Sequence, residues 1–251
     1  MEVPPNLYGL INRIQDGKGL GVSNGSYYPC WDSCSAGWIL WTSTVEMRGG
    51  GIVPGPDNSS TSYRGELAGL LGLVVILATM ETLISPPHQY SIRIDCDGLS
   101  ALSKSLLTDQ EYFNSTHKDF DIISCIIHIK TQLKAAILPI HVRGHQDSKG
   151  KPLTRAELLN VRMDALAKGI NQLSHNKDLP IPDALPLSQI GLTQVDYKMD
   201  PIVSNLRDTL VEKISGDRLK KYWKRRGRFK ISFAPDWIDW KVMKKTMKES
   251  S

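Results

Sequence analysis

A long apolar pattern over residues 62–83 separates two differently organised parts of this chain. Leucine and valine recur there on more than one helical face, at positions such as Leu67, Leu70 and Val74. A helix that is apolar on several faces is buried on several sides, so we predict that it lies in the centre of the fold. Its three glycines indicate that another backbone approaches it closely.

Strand patterns precede and follow this helix. Three strand patterns come before it and predict an antiparallel meander: residues 20–28, 36–44 and 45–53. After it come strand patterns at 89–95 and 136–142 and helix patterns at 98–106, 118–133 and 153–173. Strands joined through helices lie parallel, so this order predicts an α/β fold with a five-stranded mixed sheet flanked by helices. Thr154 and Glu157 have the spacing of a capping box at the start of the last helix.

Composition and proline spacing divide the chain into four regions. Of 251 residues, 41% are hydrophobic and 23% are charged, which is ordinary for a soluble globular protein with a sizeable core. Three prolines, Pro180, Pro182 and Pro186, mark a linker. We therefore predict an N-terminal extension, a folded domain, a linker and a small, basic, helical C-terminal region: residues 1–19, 20–175, 176–190 and 191–251.

Cysteine usage and the N-terminal residues indicate an intracellular, reduced setting, cytoplasmic or nuclear. Two cysteines lie in apolar runs and are expected to be buried thiols, and two are near enough in sequence to pair: Cys96 and Cys125, and Cys30 and Cys34. We expect no signal peptide, because residues 1–10 contain two prolines and no apolar stretch. The longest apolar run, residues 70–78, is too short to span a bilayer, so no membrane partner is expected.

Acidic residues stand at a strand end and on helices that are far apart in sequence. Glu66 lies near the start of the long helix, Asp97 follows the strand at 89–95, and Asp164 lies on the last helix. Ligands of such sheets bind in the crevice beyond the strand ends, so we expect these carboxylates to converge there. Clustered carboxylates repel one another unless a cation is present, and hard oxygen ligands suit Mg²⁺. The pattern predicts a metal site that acts on phosphate esters.

Five short motifs, in a fixed order, resemble those of one family. They are Ser23-Asn24-Gly25-Ser26, Arg64-Gly65-Glu66-Leu67, the strand-terminal Asp97, Arg143-Gly144-His145-Gln146-Asp147, and Asn160 with Asp164. Together, over about residues 20–173, they resemble ribonuclease H type 1 in the form found in reverse-transcribing retroelements. The resemblance implies a ribonuclease H-like fold and an origin within a larger reverse-transcriptase polyprotein. In that family the first motif carries Asp where this chain carries Asn24.

The same resemblance implies a function and a set of residue roles. It implies a nuclease that cuts the RNA strand of RNA–DNA hybrids through two Mg²⁺ ions, with Mn²⁺ as a substitute. The implied catalytic residues are Glu66, Asp97, Asp164 and His145, and the implied metal-binding residues are Asn24, Glu66, Asp97 and Asp164. The implied substrate-binding residues are Gly25, Ser26, Arg64 and Asn160.

Asn24 lowers the activity that this resemblance implies. An amide offers one neutral oxygen, whereas a carboxylate offers two that share a charge. We expect a rate loss of the order of ~10²–10³ or more, as when one well-placed electrostatic group is removed. The alternative function is a catalytically inactive nucleic-acid-binding module derived from a retroelement. A decayed copy, a retained binding module and a substitution introduced to trap substrate are all consistent with the amide.

Several of these residues also have structural interpretations. Glu66 favours a helix N-terminus, and Asp97 before a glycine favours a turn or cap. Asp95 points the same way as Asp97 along the strand and competes with it for a metal. His145 is an ordinary loop histidine outside the motif set, and Asn160 either contacts substrate or a neighbouring loop. His141 is expected to be a structural strand residue.

A basic segment near the C-terminus predicts nucleic-acid contacts. Eight Lys or Arg residues and no acid lie within residues 218–230, so the rest of the chain carries −3 against a total of +5. Aromatic residues alternate with these charges, which suits phosphate contacts and base stacking. A solvated tail is an equally good interpretation. The predicted contact residues are Lys220, Lys221, Trp223, Lys224, Arg225, Arg226 and Arg228.

Overall fold

The structure is a computed structural model. It describes residues 7–55, 60–84, 88–107, 119–144, 146, 150, 152–177, 196–197 and 200–201. The predicted basic segment and most of the predicted linker lie outside these residues. Two short strands, β6 (Asp196–Tyr197) and β7 (Asp200–Pro201), pair antiparallel with each other.

A five-stranded mixed sheet forms the centre of the fold, as the sequence predicts. Its strands are β1 (Leu20–Tyr28), β2 (Ser33–Trp41), β3 (Glu46–Ile52), β4 (Tyr90–Cys96) and β5 (Ala135–His141), in the order β3-β2-β1-β4-β5. The first three pair antiparallel, and β4 is parallel to both β1 and β5. The predicted three antiparallel strands followed by parallel pairing are therefore confirmed.

Within the described residues, five α-helices accompany the sheet: α1 (Leu7–Arg13), α2 (Ser62–Ile84), α3 (Leu99–Ser105), α4 (Phe120–Gln132) and α5 (Arg155–Lys177). The predicted capping box is confirmed at the start of α5, where the backbone N–H of Thr154 donates to Oε2 of Glu157 at 2.7 Å. The N–H of Glu157 donates in return to Oγ1 of Thr154 at 3.3 Å. The helix runs to Lys177, two residues into the predicted linker.

The start of β2 and the N-terminal region differ from the sequence prediction. Strand β2 begins at Ser33, three residues before the predicted start, because Asp32 adopts a left-handed φ of 40° and reverses the chain there. Helix α1 was not predicted, since residues 1–19 were assigned to an extension. Leu10, Ile11 and Ile14 are buried, and this apolar i, i+1, i+4 spacing is the signal that indicates the helix.

Side chains from the two faces of β1 and β4 enter different layers. The larger core lies between the sheet and α2, α3 and α4, and it includes Leu67, Leu70 and Ile94. The smaller core, built on Val22, Ile39, Leu159 and Met163, lies between the sheet and α5. Alternation along β1 therefore sends Val22 and Asn24 toward α5, and their neighbours toward α2.

Helix α2 is the buried central helix that the sequence predicts. By length and apolarity alone, residues 62–82 could also cross a membrane. In the fold, however, Leu67, Leu70, Leu73 and Leu77 are fully buried against the sheet and α4. The apolar character of α2 is thus accounted for by core packing.

Candidate metal centre

Parallel pairing of β1 with β4 brings the first motif close to Asp97. Ser23 pairs in register with Cys96, so Asn24, the next residue of β1, lies beside Asp97, the first residue after β4. Nδ2 of Asn24 lies 3.4 Å from Oδ2 of Asp97 and 3.3 Å from Oδ1 of Asn160 on α5. Two acceptors face the same nitrogen, which fixes the orientation of the Asn24 amide. Asn24 and Asn160 are both 3% exposed.

Glu66 reaches the same point from the opposite layer. The backbone N–H of Gly25 donates to Oε1 of Glu66 at 3.0 Å, and Sγ of Cys96 donates to Oε2 at 3.1 Å. This approach requires glycine in β1, because a Cβ on Gly25 would lie 2.3 Å from the backbone nitrogen of Glu66. Gly65 allows the same contact from the helix, since its Cβ would lie 3.2 Å from the Cα of Gly25. The predicted close approach of another backbone to α2 is confirmed here.

Cys96 belongs to this cluster, which sequence reasoning missed. Ligand atoms of Glu66, Cys96 and Asp97 lie within 4.8 Å of one another. The prediction that Cys96 is a buried thiol is confirmed, as it is for Cys125. Its position next to Asp97 was visible in the sequence, but its contact with Glu66 arises from the pairing of β4 with β1 and from the approach of α2.

Burial and neighbouring charge raise the proton affinity of the cluster. Burial, followed by the charge of Asp97, holds the pKa of Glu66 well above its usual range. Burial, followed by the charge of Glu66, likewise raises the pKa of the Cys96 thiol. Groups that are held together in this way favour binding a proton or a cation over remaining ionised side by side.

Asp164 lies on α5, one helical turn after Asn160. Its Oδ2 accepts a hydrogen bond from Nζ of Lys168 at 2.7 Å, and its side chain is 25% exposed. Asn160 faces Asn24, so Asp164 lies on the neighbouring turn of the same helical face. It stands outside the group of ligand atoms within 4.8 Å, which is formed by Glu66, Cys96 and Asp97.

The competing carboxylate, Asp95, has a structural partner. Its two oxygens accept from Nε and Nη2 of Arg93, each at 2.6 Å, and its side chain is fully buried. Asp97 stands beyond the strand end instead, within reach of Asn24. This geometry favours Asp97 over Asp95 as a cation ligand.

The segment after β5 holds the backbone of Asp97. Nε2 of His141 donates to the carbonyl oxygen of Asp97 at 3.0 Å. The backbone N–H of Val142 donates to the carbonyl oxygen of Cys96 at 3.0 Å. A Cβ on Gly144 would lie 2.7 Å from Oδ2 of Asp97, so this glycine leaves room for the carboxylate. His145 lies outside the described residues.

Arg64 occupies a buried structural site, which argues against its predicted contact with substrate. Its guanidinium donates to Asp119 at 2.9 Å, to Asp121 at 2.8 and 3.0 Å, and to the carbonyl oxygen of Pro54 at 2.7 and 3.0 Å. The Arg64 side chain is 2% exposed. It ties the start of α2 to the start of α4 and so holds Glu66 two residues away.

The other predicted substrate residues are also partly engaged. The N–H of Gly25 is used by Glu66, and Ser26 is 7% exposed, with its carbonyl oxygen accepting from Asn171. Nδ2 of Asn160 is buried and has no hydrogen-bond partner within the described part of the chain. Asn160 therefore has a buried donor left to offer.

The donor set fits a divalent cation. Two carboxylates and a thiol meet beside an amide, and the carboxylates are the hard ligands that Mg²⁺ and Mn²⁺ prefer. Asn24 turns its N–H toward Asp97, so it supplies a hydrogen bond where a third carboxylate would supply charge. The residues present accommodate one cation at Glu66 and Asp97 more readily than a symmetric pair of cations.

Comparisons with known proteins give structural neighbours and no family assignment. No protein-family profile and no curated protein match this chain. It is similar to the N-terminal RNase H domain of Rv2228c from Mycobacterium tuberculosis, at 15% identity and a TM-score of 0.39, over 64% of this chain and 97% of that one. It is also similar to RNase H1 from the halophilic archaeon Halobacterium salinarum NRC-1, at 16% identity and a TM-score of 0.38, over 61% of this chain and 97% of that one. At these scores the likeness carries no argument about function.

Proposed function

We propose that this chain is a weakened, metal-dependent ribonuclease H-like nuclease that cuts the RNA strand of RNA–DNA hybrids. The observation that carries the proposal is the convergence of Asn24, Glu66 and Asp97 from two strands and a helix at one strand end. These residues are remote in sequence and carry the motifs that resemble ribonuclease H. Half-buried carboxylates held close together, with the pKa of Glu66 raised by burial and by the charge of Asp97, suit a metal-binding role.

A bound divalent cation would supply charge stabilisation and an activated water for phosphodiester hydrolysis. Glu66 and Asp97 would hold it, and the N–H of Gly25 orients the Glu66 carboxylate. His141 holds the backbone of Asp97, and Gly144 leaves room for its carboxylate. Asn160 offers its Nδ2 to a phosphate or sugar oxygen, and Asp164 would join the site on release from Lys168.

The geometry of Asn24 supports the proposal that the activity is weak. Its amide donates to Asp97 and thereby occupies a carboxylate oxygen that would otherwise bind a cation. It also leaves the site one negative charge short of the pattern that it resembles. The same hydrogen bond favours the second candidate function, a catalytically inactive module that binds hybrids or duplexes and retains the fold.

Hybrid cleavage separates these two candidates. The full chain is incubated with an RNA–DNA hybrid in Mg²⁺ or Mn²⁺, and cleaved RNA is resolved on a gel. We expect slow cleavage that leaves 3′-hydroxyl and 5′-phosphate ends. Asp97→Asn should abolish it, whereas Asp16→Asn, at an exposed ion pair with Lys18, should not change it. Hybrid binding without cleavage in either metal would support the inactive module.

The basic C-terminal residues would add affinity for the same ligand. This part of the proposal rests on sequence alone, on the alternation of charge and aromatic residues within 218–230. Such contacts release counterions, so they make binding strongly salt-dependent. If the chain originates within a reverse-transcriptase polyprotein that acts inside the cell, it would lie near newly made RNA–DNA hybrids.

A further inference from the structure

Cys96 places a soft ligand inside an otherwise hard acidic cluster. Its sulfur lies 3.1 Å from Oε2 of Glu66, and the Asp97 carboxylate completes a group that spans no more than 4.8 Å. Thiolate ligands select Zn²⁺, whereas oxygen ligands alone suit Mg²⁺. The nuclease chemistry proposed above uses the two carboxylates and gives the sulfur no role.

The separation between the Cys96 sulfur and the Glu66 carboxylate is compatible with one shared zinc ion. Zinc bonds are about 2.3 Å to sulfur and about 2.0–2.2 Å to carboxylate oxygen. With these lengths, sulfur and oxygen lie roughly 3.1 Å apart at a right angle and roughly 3.6 Å apart at the tetrahedral angle. The observed separation of 3.1 Å falls at the edge of that range. Asp97 stands beyond the strand end. Small rotations of its side chain would shorten the widest separation among the three ligand atoms.

A second, independent feature indicates a ligand at this point. Asn160 is 3% exposed, and its Nδ2 has no hydrogen-bond partner among the residues that the structure describes. Its Oδ1 accepts from Asn24, which in turn donates to Asp97, so the Asn160 amide belongs to the wall of the cluster. Three protein ligands leave a fourth zinc position for water, and an oxygen there would accept from Asn160.

We propose that Glu66, Cys96 and Asp97 bind one Zn²⁺ in preference to Mg²⁺, with the fourth position open to water or a phosphate oxygen. The thiol proton passes to solvent as the sulfur donates an electron pair to the metal, and no redox step is involved. This inference rests on the proposed function in one respect, that the same side chains form its divalent-metal site. Zinc would then compete with Mg²⁺ there.

Cadmium is the probe, because its bond to sulfur gives an ultraviolet charge-transfer band. The metal-free, reduced full chain carries Cys30→Ser in every sample, since Cys30 is exposed and would bind Cd²⁺ by itself. We expect a saturable band that disappears when Cys96→Ser is added and persists when Cys125→Ser, a buried cysteine on α4, is added instead. Zn²⁺ should displace the Cd²⁺ at near-equal concentration, and Mg²⁺ should fail to do so in large excess.

Glu66→Gln provides a test that leaves every thiol in place. It should weaken Cd²⁺ binding by at least about tenfold, as loss of even an indirect metal contact does. Circular dichroism confirms that each variant is folded. A band that survives Cys96→Ser, an unchanged affinity in Glu66→Gln, or displacement by Mg²⁺ as easily as by Zn²⁺ would each overturn the proposal.

The outcome is separable from that of the nuclease assay. Hybrid cleavage in Mg²⁺ without a Cys96-dependent band would leave the nuclease standing and remove the zinc site. A Cys96-dependent band without cleavage in Mg²⁺ or Mn²⁺ would do the reverse.

Discussion

Asn24 donates its side-chain amide to the carboxylate of Asp97 across two adjacent parallel strands, with 3.4 Å between Nδ2 and Oδ2. One residue further along β1, Gly25 donates its backbone N–H to Glu66. The candidate centre therefore depends on two consecutive residues of β1 that reach partners in opposite layers. It is assembled by the sheet, and changes that shift β1 against α2 or β4 should alter it.

Gly25→Ala should destabilise the protein and displace Glu66. The added Cβ would lie 2.3 Å from the backbone nitrogen of Glu66, a contact that α2 has to move to relieve. We expect a loss of about 3 kcal/mol in the free energy of unfolding, at the upper end of the cost of overpacking. Urea denaturation measures it.

Gly51→Ala is the matched control for that variant. Gly51 also lies in a strand, and a Cβ there would meet no atom within 4 Å. The substitution should be neutral or slightly stabilising, because alanine loses less conformational freedom on folding than glycine. Equal effects of the two substitutions would contradict the close packing of β1 on α2.

Arg64→Met should unfold a large fraction of the protein by removing the cation that two buried carboxylates share. Asp119 and Asp121 are 0% and 3% exposed, and both bind the Arg64 guanidinium. Breaking a buried ion pair in this way costs about 3–5 kcal/mol. Arg162→Met breaks an ion pair with Glu46 that is more than one-third exposed, and it should cost about 1 kcal/mol or less. Chemical denaturation of both variants compares the two; similar losses would show that Arg64 is not structural.

Cys125 should make the protein less stable at alkaline pH. Burial, followed by the charge of Asp121, raises the pKa of this thiol from 9.0 to about 12. The folded state therefore keeps the proton that the unfolded state loses, so its contribution to stability is complete below pH 9 and declines as pH rises toward 12. In Cys125→Ala this part of the decline should be absent.

The Cys125 comparison is made on differences between the two proteins. The tyrosines and lysines are the same in both proteins, so their contributions to the difference in unfolding free energy largely cancel. A pH-independent part of that difference, read at pH 7, reports the cavity left by the smaller side chain. The informative quantity is the change in this free-energy difference between pH 8 and pH 11. A free-energy difference that stays constant over this interval would mean that the thiol is solvated in the folded protein.

Removing residues 178–251 should weaken hybrid binding and flatten its dependence on salt. Each phosphate contact that is lost removes about 0.7–0.9 from the slope of log affinity against log salt concentration. Fluorescence anisotropy at several salt concentrations measures both quantities for the full and shortened chains. If affinity and slope are the same in both, the basic segment is a solvated tail.

Local patterns predicted the order of the elements, because hydrophobic period and glycine or proline boundaries are properties of neighbouring residues. They also placed Glu66 and Asp97 on elements whose ends meet. The role of Arg64 could not be predicted in this way, since its partners Asp119 and Asp121 are more than fifty residues away. The contact between Cys96 and Glu66 depends similarly on which face of β4 meets α2. Helix α1 is a different case, because its apolar spacing was present in the sequence and was assigned to an extension.

Asn24→Asp tests the central claim most directly, through the rate of hybrid cleavage in Mg²⁺. The substitution replaces the amide that donates to Asp97 with a carboxylate and restores a charge that a cation can bridge. We predict a rate increase of the order of ~10²–10³, abolished again by Asp97→Asn in the same chain. An unchanged rate in a folded Asn24→Asp protein would contradict the assignment of this cluster as the catalytic metal centre.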